Sequence, residues 1–298
     1  MDLKVALLAA LAIVTLYFIA LLTRAIARKR AAGEQVAPTP ALLATGFVTN
    51  FLDTLGIGSM ATTTTIVRHL KLLRDELNPG TQNVGHALPT ITQAFIYTRL
   101  VPVDAVTLVL MIAAAVAGSY LGAGVVCRWS RRTIQIGMGS ALLAAATLML
   151  LAQLQRLPGG GDLLKIEGMR LALGLAGNFV LGALMTVGVG LYAPCLILVS
   201  LLGMNPTAAF PIMMGSCAFL MPVASTRFIA AQKYDPRAAL GFLFGGIPAV
   251  LIAAFIVKSL PLGVVRWLVV VVVVYTATTM LRTAMKERGA LRAAGAAA

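Results

Sequence analysis

Asp53 is the residue in this sequence most able to do chemistry in an apolar environment. It is the only charged residue between Gln35 and Val67. Carboxylates are costly inside a membrane, and those found there often belong to ion pathways or proton relays. The same side chain could instead cap the turn that follows it, or hydrogen-bond to Asn50. Asp53 is therefore predicted either to carry a proton or to hold the local fold.

A glycine pair follows Asp53, and a second pair lies far along the chain: Gly56 and Gly58, then Gly188 and Gly190. The uncharged segment 171–203 would reach about 50 Å as one helix. The apolar core of a bilayer is only about 30 Å thick. Glycine in mid-segment favours a chain break inside the membrane, although glycine also lets helices pack closely.

Each break would begin a half-helix whose N-terminus points to the membrane centre. These half-helices are predicted over residues 59–69 and 191–202. Helix N-termini carry unpaired N–H donors and a partial positive charge, which suits an anion. Nearby hydroxyl groups could add donors: Thr54, Ser59, Thr62, Thr63 and Thr186. The sequence thus predicts an anion site that needs no buried Lys or Arg.

Four polar residues fall at helical spacing after Asn78-Pro79: Asn83, His86, Thr90 and Gln93. Spacings of three and four residues place them on one face of a helix. On a helix that spans a membrane, such a face lines a cavity or bonds to neighbouring helices. His86 is therefore a candidate proton carrier, with interhelical hydrogen bonding as the alternative.

The sequence offers little for enzymatic, redox or metal chemistry. Cys127, Cys195 and Cys217 lie in apolar stretches and form no CxxC pair, so no disulfide, metal site or cofactor is expected. The chain has two His residues and neither an HExxH nor a GxSxG motif. We therefore expect that it is not an enzyme.

The composition indicates an integral membrane protein. Of 298 residues, 59% are hydrophobic and 11% are charged, and the mean hydropathy is +0.93. Soluble domains carry about 25% charged residues, so a soluble enzyme and a disordered chain are both excluded. The net charge of +14 sits in short basic clusters between apolar runs, which is typical of loops that orient membrane spans rather than of nucleic-acid binding.

The charge distribution predicts how the apolar runs cross the membrane. The runs are 5–23, 77–98, 105–127, 133–155, 171–226, 238–257 and 267–281. Most of the 24 Lys and Arg residues fall in cytoplasmic loops if the N-terminus lies outside and each glycine-centred segment returns to the side it entered. A single crossing at either segment spoils this bias. Two re-entrant hairpins and a cytoplasmic C-terminus are therefore predicted.

An internal repeat supports this topology. The stretch from Thr54 to Ala61 matches the stretch from Thr186 to Ala193, and Asn78-Pro79 matches Asn205-Pro206. Each copy comprises a hairpin and three crossings, and because three is odd the copies are inverted. The predicted fold is an all-α polytopic membrane protein. Its parts are an N-terminal transmembrane helix (1–30), a first repeat (41–156), a second, inverted repeat (169–285) and a cytoplasmic tail (286–298).

Three features of the sequence resemble the sulfite exporter TauE/SafE family of bacterial permeases. They are the glycine-broken segment that begins at Gly46, the helix after Asn-Pro that carries Thr81-Gln-Asn83, and the basic linker before a Pro-led span. The resemblance covers roughly residues 41–285. It implies an inner-membrane transporter of sulfite, organosulfonates or related small anions. The family motif maps onto Asp53, Gly56, Gly58, Asn83, Gly188, Gly190 and Pro194.

The sequence thus leads to the expectation of a secondary carrier for a small anion in the bacterial inner membrane, coupled to protons through Asp53. A passive anion channel is the alternative, and an intramembrane enzyme is a weaker one. The lipid bilayer, the anion and protons are the expected partners, without nucleic acid. The predicted substrate site contains Asn50, Asp53, Thr54, Gly56, Gly58, Ser59, Thr62, Asn83, His86, Thr186, Gly188, Gly190 and Pro194.

Overall fold

The computed structural model describes residues 3–55, 57–156, 160–188, 190–255, 267, 270, 271, 274, 275 and 277–285. Across these ranges the chain is helical, apart from loops and one isolated β-bridge between Leu163 and Met204. Gly56, the tail 286–298 and part of the apolar run 267–281 lie outside the described residues.

Ten helices follow one another between residues 3 and 255 of the described chain. They are α1 (Leu3–Ala31), α2 (Pro40–Thr54), α3 (Ser59–His69), α4 (Asn78–Leu100), α5 (Ala105–Val126), α6 (Arg131–Gln153), α7 (Gly168–Met185), α8 (Tyr192–Leu201), α9 (Ala209–Ala230) and α10 (Pro236–Phe255). Short 3₁₀ turns at Asp75–Leu77 and Pro206–Ala208 precede α4 and α9. The described residues from 267 to 285 are helical too, and we call them the C-terminal helical residues.

Five of the described helices are long and apolar enough to cross a membrane: α1, α5, α7, α9 with its preceding turn, and α10. This finding agrees with the membrane protein that the composition indicates. The sequence also predicts spans over α4 and α6, which are 23 residues long each. The α4 helix is less apolar because it carries the polar stripe, and both of these spans stay predictions.

The helices are interrupted at both glycine pairs, as the sequence indicates. The α2 helix ends at Thr54, and α3 begins at Ser59 after Gly58, whose φ is +92°. The α7 helix ends at Met185, and Gly188 follows with a φ of +101° before α8 begins. Such φ values are strained for residues that have a Cβ atom, which explains glycine at these positions.

The packing exchanges helices between the two halves of the chain. The first helix of the early half, α2, packs against α10, while α7 packs against α5. The α4 helix packs against α9 and α10, and α9 packs against α4 and α5. Close approach depends on glycine: a Cβ atom at Gly182 would lie 2.1 Å from the carbonyl oxygen of Ala115, and one at Gly46 would lie 2.5 Å from the Cα of Phe242.

Candidate functional site

The carboxylate of Asp53 lies against the N-terminus of α3. Asp53 stands in the last turn of α2, and only 1% of the residue is exposed. Its Oδ1 atom accepts a hydrogen bond from the backbone N–H of Ser59 at 2.5 Å, and its Oδ2 atom accepts one from Gln93 Nε2 at 3.0 Å. Gly58, the residue before α3, provides no side-chain cap of its own. The capping role considered for Asp53 is therefore present in the structure.

Tyr192 brings the second break to the same carboxylate. It is the first residue of α8, and its hydroxyl lies 2.8 Å from Gln93 Oε1 and 3.3 Å from Asp53 Oδ2. The hydroxyl has one proton, so it donates to one of these acceptors at a time. Residues that begin α3 and α8 thus meet at Asp53, together with Gln93 of α4.

His86 forms a second buried cluster on the same face of α4. Its Nε2 atom lies 2.9 Å from Thr63 Oγ1, and its Nδ1 atom lies 2.9 Å from Nδ2 and 3.2 Å from Oδ1 of Asn50. The ring stacks on Phe242 of α10 with a centroid distance of 5.1 Å. His86 and Gln93 thus bond to other helices, which is the interhelical alternative considered for the polar stripe.

A matching amide contact occurs in the second half of the chain. Asn50 of α2 contacts His86 of α4 and lies 3.5 Å from the carbonyl oxygen of Phe242 in α10. Asn178 of α7 donates to Ser216 of α9 at 3.0 Å and to the carbonyl oxygen of Met111 in α5 at 2.7 Å. Each amide therefore connects the first helix of one half to a helix of the other half. The second contact lacks a histidine.

The structure brings five of the predicted site residues into these two clusters: Asn50, Asp53, Thr54, Ser59 and His86. The Oγ1 atom of Thr54 accepts a hydrogen bond from Gln93 Nε2 at 2.9 Å, and Gly58 precedes Ser59 at the start of α3. The polar groups expected from the first break are therefore divided between two clusters: Ser59 and Thr54 lie with Asp53 and Gln93, and Asn50 lies with His86.

Other predicted residues bond within their own helix or line the second break. Thr62 donates to Ser59 O, Thr186 to Ala183 O, and Asn83 to Pro79 O. These donors are therefore committed to the backbone. The remaining predicted residues, Gly188, Gly190 and Pro194, lie in the second break and in the first turn of α8, while Gly56 lies outside the described residues.

Gln93 and Tyr192 are the residues around Asp53 that are missing from the predicted set. Gln93 belongs to the polar stripe and lies two helical turns after His86, so its position signals the same face. Tyr192 occupies the place in the second repeat that Met60 occupies in the first. Nothing in the sequence indicates that this tyrosine reaches across to the other break, because that contact depends on the packing of distant helices.

Among the described residues, no group of three or more His, Cys, Asp or Glu side chains could hold a metal ion. The three cysteines are free. No family model, no curated protein and no solved structure matches this chain. The resemblance to the sulfite exporter family therefore depends on the quoted residues alone.

Proposed function

We propose that the protein is a secondary carrier that moves a small anion, such as sulfite, an organosulfonate or a related anion, across the bacterial inner membrane together with a proton. The observation that carries the proposal is the meeting of both helix breaks at Asp53. Its carboxylate accepts the N–H of Ser59, which begins α3, and lies within 3.3 Å of the hydroxyl of Tyr192, which begins α8.

The proposed architecture is a pair of inverted repeats, each with a re-entrant hairpin and three spans, after an N-terminal helix. The helix packing supports this architecture. In the proposed repeat α2 corresponds to α7 and α5 corresponds to α10, so the contact of α2 with α10 corresponds to the contact of α7 with α5. The two amide contacts of Asn50 and Asn178 support it as well. Inverted repeats allow one central site to face either side of the membrane in turn.

The proposed coupling follows from competition for one backbone donor. The first N–H of α3 is suited to an anion, but Asp53 accepts it in the state described here. An ionised Asp53 therefore both blocks this donor and repels an entering anion. Protonation of Asp53 removes the negative charge and releases the N–H of Ser59. One proton and one anion then occupy the site together, and loss of both restores the contact of Asp53 with α3.

Uptake into proteoliposomes at several transmembrane pH gradients tests this proposal. Sulfite, sulfate, taurine and small carboxylates would be supplied in turn, because the substrate is to be identified by the same assay. Wild-type uptake should saturate with the anion concentration and increase with the proton gradient. Asp53→Asn keeps an oxygen acceptor for Ser59 but does not titrate, so the dependence on the gradient should disappear.

The matched control is Asp162→Asn, which makes the same chemical change at an exposed loop residue and should leave uptake unchanged. Gradient-driven uptake that survives in Asp53→Asn would refute the coupling. Conductance that does not saturate and is indifferent to Asp53→Asn would point to the passive channel instead. Conversion of a substrate in detergent, without any gradient, would point to an enzyme.

A further inference from the structure

Two cavities lie side by side where α3 ends, and Arg68 lines both. The first has a volume of about 690 Å³ and is mainly apolar. It lies between the last turn of α3 and the C-terminal helical residues, with Ile66 and Leu70 on one wall and Val271 and Tyr275 on the other. Its size is within the range of about 300–1,000 Å³ that small-molecule sites occupy.

The second cavity has a volume of about 530 Å³ and is lined largely by charged side chains. Lys71, Arg74 and Arg131 provide positive charge beside Arg68, while three carboxylates provide negative charge: Asp75, Glu76 and Asp235. Arg68 pairs with Asp75 at 2.8 Å, and Arg74 pairs with Glu76. Lys71 and Arg74 are also exposed to the surroundings. The cavity thus combines a basic rim with side chains that are already held in place.

The apolar cavity shows two features that call for an occupant with an apolar part and a polar part. Val271 and Tyr275 are 64% and 63% exposed there, and Leu70 is 54% exposed. Thr65, which lines the same cavity, is only 8% exposed, and its hydroxyl has no hydrogen-bond partner among the described residues. A buried hydroxyl without a partner is uncommon and costs free energy, and rotation of the Thr65 side chain toward the cavity would let a ligand oxygen satisfy it.

We propose that these adjacent cavities together bind one anionic phospholipid. An acyl chain lies along Leu70, Val271 and Tyr275, and the phosphate lies at the basic rim formed by Lys71 and Arg74. The five apolar helices place the chain in a bilayer, where such lipids are at hand, and Lys and Arg clusters at a membrane surface attract them. The site is separate from Asp53, so the inference does not depend on the solute that the protein carries.

Native mass spectrometry of the purified full-length protein in a neutral detergent tests the inference. The probes are palmitoyl-oleoyl phosphatidylglycerol and its phosphatidylcholine counterpart, which share acyl chains and differ in charge. The wild-type protein should retain the anionic lipid preferentially. Lys71→Asn and Arg74→Gln should each weaken that binding about fivefold, as expected for one basic residue near a lipid headgroup, and should leave binding of the zwitterionic lipid unchanged.

A second pair of variants separates the apolar cavity from the basic rim. Tyr275→Ala should weaken the binding of both lipids. Thr65→Val should also weaken lipid binding and should leave the preference for the anionic lipid unchanged. The control is Arg156→Gln, which removes an exposed basic residue from a different loop and should have no effect. Glycerol phosphate, which has the charge but no acyl chain, should fail to displace the bound lipid.

Equal retention of both lipids by the wild-type protein would overturn the inference, and this measurement needs no variant to fold. An unchanged preference in the Lys71→Asn/Arg74→Gln double variant would overturn it as well. Displacement by glycerol phosphate would show a site for a free phosphate compound instead of a lipid. A failure of the transport proposal would leave these binding results unaffected, since none of the variants touches Asp53 or its partners.

Discussion

Removing one hydroxyl group, in Tyr192→Phe, should disconnect the two helix breaks. In the described structure, Tyr192 provides the one hydrogen bond assigned to Gln93 Oε1, at 2.8 Å, and both residues are buried. Phenylalanine fills nearly the same volume, so the change leaves a buried acceptor without a partner. Such a loss costs about 1–3 kcal/mol. The ratio of molecules in which the two breaks are in contact to molecules in which they are apart should therefore fall about 5–150-fold.

Two measurements on purified protein check this prediction. Thermal unfolding in detergent should show a lower melting temperature for Tyr192→Phe than for the wild type. Uptake into proteoliposomes should become less dependent on the proton gradient, because Asp53 loses the neighbour that connects it to α8. Tyr17→Phe is the matched control, since Tyr17 is 58% exposed on α1. The reasoning is refuted if Tyr192→Phe and Tyr17→Phe behave alike in both assays.

Two further predictions concern stability. Gly182→Ala should destabilise the fold by about 1–3 kcal/mol, because the new Cβ atom would lie 2.1 Å from the backbone oxygen of Ala115. Gly124→Ala is the control and should be nearly neutral, because a Cβ atom there would have no atom within 4 Å. Thermal unfolding of both variants in detergent measures the difference. Asp104→Ala removes an N-cap and should cost about 1 kcal/mol at pH 7. Partial burial raises the pKa of Asp104, but hydrogen bonds from Thr107, the positive charge of Lys165 and a hydrogen bond from the backbone of Val106 together hold it below the ordinary value of 3.8. This stabilisation is therefore complete above the unfolded-state pKa and is lost as the pH falls through the folded-state pKa. The difference in melting temperature between the wild type and Asp104→Ala should therefore become smaller as the pH is lowered from 7 to 3. A difference in melting temperature that does not change with pH would contradict the N-cap role of Asp104.

The local features of the first break could be predicted from the sequence because they depend on nearby residues. A lone acid in an apolar run, Asp53, and glycines three and five residues later mark where α2 ends. The helix predicted over 59–69 coincides with α3 (Ser59–His69). The second half-helix, predicted over 191–202, is Tyr192–Leu201. Glycine without a Cβ atom is a strong local signal, so these boundaries needed no knowledge of the tertiary fold.

The partners of the site residues could not be predicted in the same way. Tyr192 is separated from Asp53 by 139 residues, and Asn178 from Met111 by 67 residues, so their contacts depend on how the helices pack. Hydroxyl spacing was also misleading for Thr62. Threonine in a helix readily donates to a carbonyl oxygen one turn earlier, and Thr62 does so instead of contributing a free donor to the centre.

The contact between α2 and α10 limits the order in which this protein can fold during its synthesis. Asn50 and the carbonyl of Phe242 are 192 residues apart. At a synthesis rate of about 5–20 residues per second, a ribosome would need about 10–40 seconds to deliver α10 after α2 has been made. During that interval α10 does not yet exist, so Asn50 lacks its contact with the carbonyl oxygen of Phe242 and Gly46 lacks its packing against the backbone of Phe242. The contact of Asn50 with His86 becomes possible much earlier, because these residues are only 36 positions apart, so the early half can form its own buried cluster before α10 arrives.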